Sequence, residues 1–184
     1  MQIGRFVLPN PVFAYTKRIP PAETNSIIVE SGIGIPAYLL QPNSPPNQKV
    51  KIDVKALIDT GCSKTSISKR LAAACNLISY QRTKMENAGG VDIVNLYTVD
   101  IFLPNKVRFN NVSVAEYADN NRFDIIIGMD ILRHLDLSIT NANGQMVFSI
   151  RQPPDAFHID YEKMQKKNKS AKLMKEQLKK KQVP

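Results

Sequence analysis

Between Ile27 and Arg151 the chain consists of short runs rich in β-branched residues, each ended by turn formers. "SIIVESG", "IPAYLLQ" and "KVKIDVKALID" are the first three, and the Pro/Asn-rich "QPNSPPNQ" separates the last two. Such runs read as strands, and their shortness and punctuation favour a small, mostly β domain. Within the third run, Val50, Ile52 and Val54 alternate with Lys51, Asp53 and Lys55, the pattern of a half-buried strand. The alternation stops at Ala56-Leu57-Ile58, where both faces become apolar and the strand enters the interior. It delivers a carboxylate there, Asp59, followed at once by Thr60 and Gly61.

A carboxylate at a buried strand end must be hydrogen-bonded or change its proton affinity. Gly61 lets the backbone turn tightly and approach a ligand without an intervening Cβ. Thr60 and Ser63 supply hydroxyls that can bind backbone or carboxylate. The triplet alone is equally a turn with an Asx-type cap.

Downstream, Ser66 or Ser68 can cap a short helix with Leu71, Ala74 and Cys75 on its apolar face, and Asn76 is a plausible stop. Two strands then flank Asn87-Ala88-Gly89-Gly90, a hairpin signal. "DIIIGMDIL" reads as a buried strand over Asp124–Ile127, then Gly128, then a helix start. Asp130 falls in the first helical turn, where the positive helix end favours a carboxylate. A last hairpin turns at Asn143-Gly144.

In this order and spacing, "ALIDTGCSKTSIS", "MENAGGVDIV", "DIIIGMDIL" and "LDLSIT" resemble the retropepsin-like (retroviral-type) aspartic peptidases. The resemblance implies a closed acid-protease barrel, mostly β, with one or two short helices. It implies one catalytic aspartate per chain, Asp59, supported by Thr60, Gly61 and Ser63. Ala88, Gly89, Gly90 and Val91 would form a flap over an extended peptide or protein substrate. Ile126, Ile127 and Gly128 would pack under the Asp59 loop, and Asp130 would anchor the short helix. No second Asp-Thr-Gly or Asp-Ser-Gly occurs in the sequence, so the resemblance implies a homodimer with two Asp59 carboxylates at its axis. It implies aspartic endopeptidase activity without metal or cofactor. A catalytically inactive peptide-binding module of the same fold is the alternative. Two positions depart from the viral pattern: Cys62 stands where a small residue, often Ala, is usual, and Asp130 where viral relatives often have Asn, as in cellular or bacterial-looking members. A thiol beside the site invites oxidation control.

The rest of the chain falls outside the resemblance. Residues 1–26 hold Gly4, Pro9, Pro11, Pro20 and Pro21 and read as an irregular arm, with one short extended piece near Val12–Tyr15. Residues 27–151 form the protease-like domain. Residues 152–184 read as a basic helical tail, rich in Lys, Gln, Met and Leu. From residue 155 onward there are nine Lys against four acids, so much of the net charge of +9 belongs to the tail. Its apolar positions form no clean stripe, and Asp160, Glu162 and Glu176 interrupt the positive charge. A solvated face is therefore expected in preference to a nucleic-acid contact. Two cysteines, Cys62 and Cys75, suggest no disulfide framework. His134 and His158 stand apart, without ligand spacing for a metal. No secretory leader or membrane-length apolar run is seen, so a soluble, cytoplasmic protein without membrane contact is expected.

Overall fold

The structure is a computed structural model that describes residues 11–23, 25–40, 51–87 and 90–181. The chain divides into two compact units, Met1–Pro154 and Asp155–Pro184. The first is the mostly β fold expected from the runs and turns.

Its strands are β1 (Phe13–Ile19), β2 (Ile27–Gly34), β3 (Ile52–Ile58), β4 (Ser66–Ser68), β5 (Gln81–Asn87), β6 (Gly90–Phe102), β7 (Arg108–Tyr117), β8 (Ile125–Ile127), β9 (Asp136–Ala142) and β10 (Gln145–Gln152). Two short helices, α1 (Lys69–Ala74) and α2 (Met129–Leu132), follow β4 and β8. Seven strands form one sheet in the order β2-β3-β8-β4-β7-β6-β5, and β2 also pairs with β6. That extra pairing, Gly32↔Phe102 through Gly34↔Asp100, brings the ladder back on itself, so six strands close a ring and β5 hangs from β6 as a hairpin. Closure removes open edges from the ring. Val29, Ile33, Ala56, Ile67, Val99, Ile101, Val114, Ile125 and Ile127 fill the interior and are all essentially inaccessible.

Turn chemistry explains several boundaries. Asn143 and Gly144 both have positive φ, 52° and 73°, as a two-residue hairpin between right-twisted strands requires. Asn76, with φ 49°, ends α1 in the left-handed conformation that Asn tolerates. Ser68 is the residue that caps α1, accepting the Leu71 N–H at 3.2 Å. The long β6–β7 pairing shifts register between Val99 and Ile101. Buried Asp100 holds the irregularity, accepting the Asn111 N–H at 2.9 Å and pairing with Arg108.

Two segments differ from the reading of the runs. "IPAYLLQ" is not a strand: Ala37–Leu39 make a single 3-10 turn. Pro36, at φ −53°, removes an N–H a ladder would need, and the residues after it are not β-branched. The N-terminal segment is more ordered than an arm with a short extended piece. All seven residues of β1 pair antiparallel with β10, from Phe13↔Gln152 to Ile19↔Met146. The prolines bound this strand and do not interrupt it, which an edge strand tolerates. β1, β10 and β9 make a second, three-stranded sheet, and Ile19, Phe148 and Ile150 join the core from it.

The second unit carries α3, Tyr161–Lys181. Its start is fixed by Asp160, whose carboxylate accepts the Lys163 N–H at 2.9 Å. That bond and the Lys163 ammonium hold the Asp160 carboxyl below its usual range. Lys166 pairs with Glu162 one turn earlier at 2.6 Å.

Candidate active site

β3 and β8 run parallel, with Ile58 opposite Ile127, and the Asp59 N–H continues that ladder by donating to Ile127 O at 3.1 Å. Asp59 therefore leaves the sheet at a defined point, half-buried, with Thr60, Gly61 and Ser63 exposed beyond it. The loop closes by a turn, Cys62 N–H to Asp59 O at 3.3 Å. The carboxylate is oriented by the Gly61 N–H, which donates to Asp59 Oδ1 at 2.9 Å. A Cβ at Gly61 would stand 3.2 Å from that oxygen, so glycine permits the close approach.

β8 and α2 hold the loop from the side. Gly128 packs directly on the loop backbone: a Cβ there would lie 2.8 Å from Cys62 O and from Lys64 C. Met129 N–H donates to Cys62 O at 2.8 Å, and Asp130 N–H to Ser63 O at 3.2 Å. Asp130 reaches back to the start of β4, where both of its oxygens accept the Thr65 N–H at 3.0 Å. Oδ1 also accepts the Thr65 hydroxyl at 2.6 Å and the Ile131 N–H at 3.0 Å. Asp130 is thus more than a helix anchor. It clamps the far end of the Asp59 loop to the first turn of α2.

Thr65 escaped the sequence reading. It is fully buried, and its hydroxyl donates to Asp130 while accepting the Gly128 N–H at 3.1 Å. In the sequence it is one hydroxyl among five in "CSKTSIS" and "DTG", and only the tertiary approach of α2 singles it out.

Ile127 is fully buried beneath the loop, while Ile126 is half-buried, set between Leu57 and Ser66 in register. At the hairpin, Asn87 pairs with Gly90, which has φ 123°, and Val91 is exposed. Ala88 and Gly89, the other two expected flap residues, lie outside the described residues. The Cys62 thiol donates to Lys64 O at 3.0 Å. Burial pushes its pKa up, and Asp59 and Asp130 push the same way against that hydrogen bond. The thiol is kept protonated, which lowers its reactivity toward oxidants. Among the described residues, no cluster of His, Cys, Asp or Glu could hold a metal ion, and no helix is long and apolar enough to cross a membrane.

A ring of strands, an Asp-Thr-Gly loop leaving a parallel strand pair, and a glycine-led short helix packed on that loop define an aspartic-protease lobe. Residues 49–134 match the family model described as "gag-polyprotein putative aspartyl protease". The fold is similar to the crystal structure of a retropepsin-like aspartic protease from Rickettsia conorii, with TM-score 0.51 and 10% identity over 79% of this chain and 98% of that one. The retroviral protease-like domain of Ddi1 from Leishmania major is also similar, with TM-score 0.36 and 22% identity over 66% of this chain and 93% of that one. No match was found among curated proteins. Through the match over residues 49–134 and its fold, the chain resembles the retropepsin-like aspartic proteases.

Proposed function

We propose that the chain is an aspartic endopeptidase that works as a homodimer. The observation that carries this reading is the Asp59 loop: a complete Asp-Thr-Gly, half-exposed, its carboxylate oriented by the Gly61 N–H and its backbone clamped by α2. The sequence has one such triplet, so a two-carboxylate site needs a second copy.

With two Asp59 side by side, both cannot ionise easily, and they share a proton, as is general for aspartic proteases. The ionised carboxylate draws a proton from a water held between the pair, and that water attacks the scissile carbonyl. The protonated carboxyl donates to the carbonyl oxygen and afterwards to the leaving amine. The pair titrates jointly, so its two steps belong to the dimer. Thr60 bonds across to the partner chain beneath the pair, and Ser63 supports the loop. Gly61 lets substrate backbone pass close to the carboxylates. Ala88, Gly89, Gly90 and Val91 close over an extended peptide through main-chain bonds, as in strand addition.

The test is cleavage of a peptide library by the purified dimer from acid to neutral pH. Cleavage is expected, inhibited by a statine-type transition-state mimic. Asp59→Asn should lower kcat by about 10²–10⁴-fold or more, the scale of lost general acid–base catalysis. If the dimer cleaves nothing across that range, the peptidase reading fails and a peptide-binding module of the same fold replaces it.

A further inference from the structure

The sheet face that carries Asp59 is apolar and half open. Residues two apart on a strand share a face, as do residues paired across a sheet. Leu57 stands two residues before Asp59, opposite Ile28 on β2 and beside Ile126 on β8. These three are half-buried, whereas Val29, Ala56, Ile125 and Ile127, on the other face, are inaccessible. Two strand residues span roughly 7 Å, so the patch begins that far from Asp59. A side chain of an extended peptide that rests on Leu57 therefore belongs to a residue flanking the bond held at Asp59.

A cation crosses this patch. The segment between β7 and β8 is rooted at Lys55, whose C=O accepts the Asp124 N–H at 2.8 Å and whose N–H donates to Asp124 Oδ2 at 3.0 Å. Asn120 Oδ1 accepts the Arg122 and Phe123 N–H groups at 2.8 and 3.0 Å, and Phe123 O accepts the Tyr117 hydroxyl at 3.0 Å, so the backbone here is fixed. From it Arg122 donates to Ser26 Oγ at 2.8 Å. Ser26 precedes Ile27, which pairs with Ile58, so Ser26 and Asp59 leave neighbouring strands side by side. β8 and β2 flank β3 on opposite sides, so the bond from Arg122 to Ser26 spans β3 at its Asp59 end. The core fills the inner face, and the guanidinium crosses on the outer one, beside Leu57.

The guanidinium has donors to spare. Ser26 takes one of its five N–H groups, and among the described residues no acid lies within ion-pair distance of it. Arg122 lines a cavity of about 320 Å³ with three acids, and each of these faces another cation: Asp124 pairs with Arg70 at 2.7 Å, Asp53 with Lys51 at 2.9 Å, and Glu30 stands opposite Lys55. A held, unpaired guanidinium over an apolar floor fits a side chain with an aliphatic stem and a carboxylate tip, because the arginine fork matches a carboxylate with two parallel bonds. Glutamate has both parts. Glutamine lacks the charge, and lysine carries the wrong one.

We infer that Arg122 is a specificity-determining residue that selects peptides with glutamate flanking the scissile bond. The glutamate stem lies on Ile28, Leu57 and Ile126, and its carboxylate takes N–H groups that Arg122 does not give to Ser26. The inference rests on the peptidase reading and names the substrate class of that site, acidic peptides.

The test gives the full chain a randomised peptide library and reads cut sites by mass spectrometry, then compares matched peptides with Glu, Gln or Lys at the flanking position. Retention of the same peptides on immobilised Asp59→Asn chain measures recognition without cleavage. Wild type should favour Glu over Gln about five- to tenfold in kcat/KM, mostly through KM, and the preference should shrink as salt rises. Arg122→Gln, which can still donate to Ser26, should abolish the preference, and Arg122→Glu should turn it toward Lys. Thermal melting should show both variants folded, since Arg122 is exposed. Cleavage without a Glu preference, or with the same preference in Arg122→Glu, overturns the role of Arg122 and leaves the peptidase reading standing. Glu-selective retention that Arg122→Glu reverses, with no cleavage by wild type, defeats the peptidase reading alone. Neither cleavage nor retention defeats both.

Discussion

Replacing Thr65 by Val isolates the clamp that fixes the Asp59 loop. The two side chains have nearly the same shape, so a fully buried site loses a hydroxyl and gains no cavity. Two bonds go with it: the 2.6 Å donation to Asp130 Oδ1 and the 3.1 Å acceptance from Gly128 N–H. A hydrogen bond to a charged group contributes about 1.5–3 kcal/mol net, and an orphaned buried N–H costs about 1–3 kcal/mol. Asp130 keeps the Thr65 N–H on both oxygens, so it is not left bare, and the loss should total about 3–5 kcal/mol. Against a typical stability of about 5–15 kcal/mol the domain still folds.

Urea unfolding at one fixed protein concentration reads this directly, because the proposed dimerisation would make midpoints concentration-dependent. The midpoint should fall with unchanged slope, and Tm should drop by about 10 °C. Thr65→Ser keeps the hydroxyl and should stay within about 1.5 kcal/mol of wild type. In a double-mutant cycle with Asp130→Ala, the two losses should be non-additive by about 1–2 kcal/mol. Thr65→Val within about 1 kcal/mol of wild type, with no coupling to Asp130, would show that the hydroxyl does not bridge α2 to the loop.

Gly128→Ala tests the loop contact by crowding: at φ −95° the backbone suits Ala, yet the new Cβ meets Cys62 O and Lys64 C at 2.8 Å. It should cost about 1–3 kcal/mol and reduce kcat more than it raises KM, measured by unfolding and by peptide turnover. Tyr117, whose hydroxyl donates to Phe123 O, has its pKa pushed up to about 12, chiefly by burial with Asp124 and Asp119 adding to it. The folded state then holds this proton more tightly than the unfolded chain, so stability present below pH 10 should decline between about pH 10 and 12, by about 2–3 kcal/mol. Tyr117→Phe should flatten that decline in pH-dependent unfolding. Gly144→Ala forces φ 73° on a residue with a Cβ and should cost about 1 kcal/mol in thermal melts, without changing peptide turnover.

What the sequence disclosed and what it concealed divide along one physical line. Features set by residues close in the chain were legible: the strand ending at Asp59, the Ser68 cap, the Asn143-Gly144 turn and the helix opened by Gly128. Propensity and turn chemistry act there over a few residues. Features set by distant partners were not. β1 is a strand because β10 pairs along its whole length, and its flanking prolines disguised it as an arm. "IPAYLLQ" failed as a strand because Pro36 withholds a ladder N–H. Thr65 matters because α2 and its N-cap Gly128 arrive from more than sixty residues away with an acid and an N–H that its hydroxyl binds. The site follows the same division. Asp59 announces itself through its triplet, but its orientation comes from Gly61, and its loop is held still by Thr65, Gly128 and Asp130 acting together. The residue proposed to react can be named from a motif, whereas the residues that keep it in place are identified by the contacts that fold the chain.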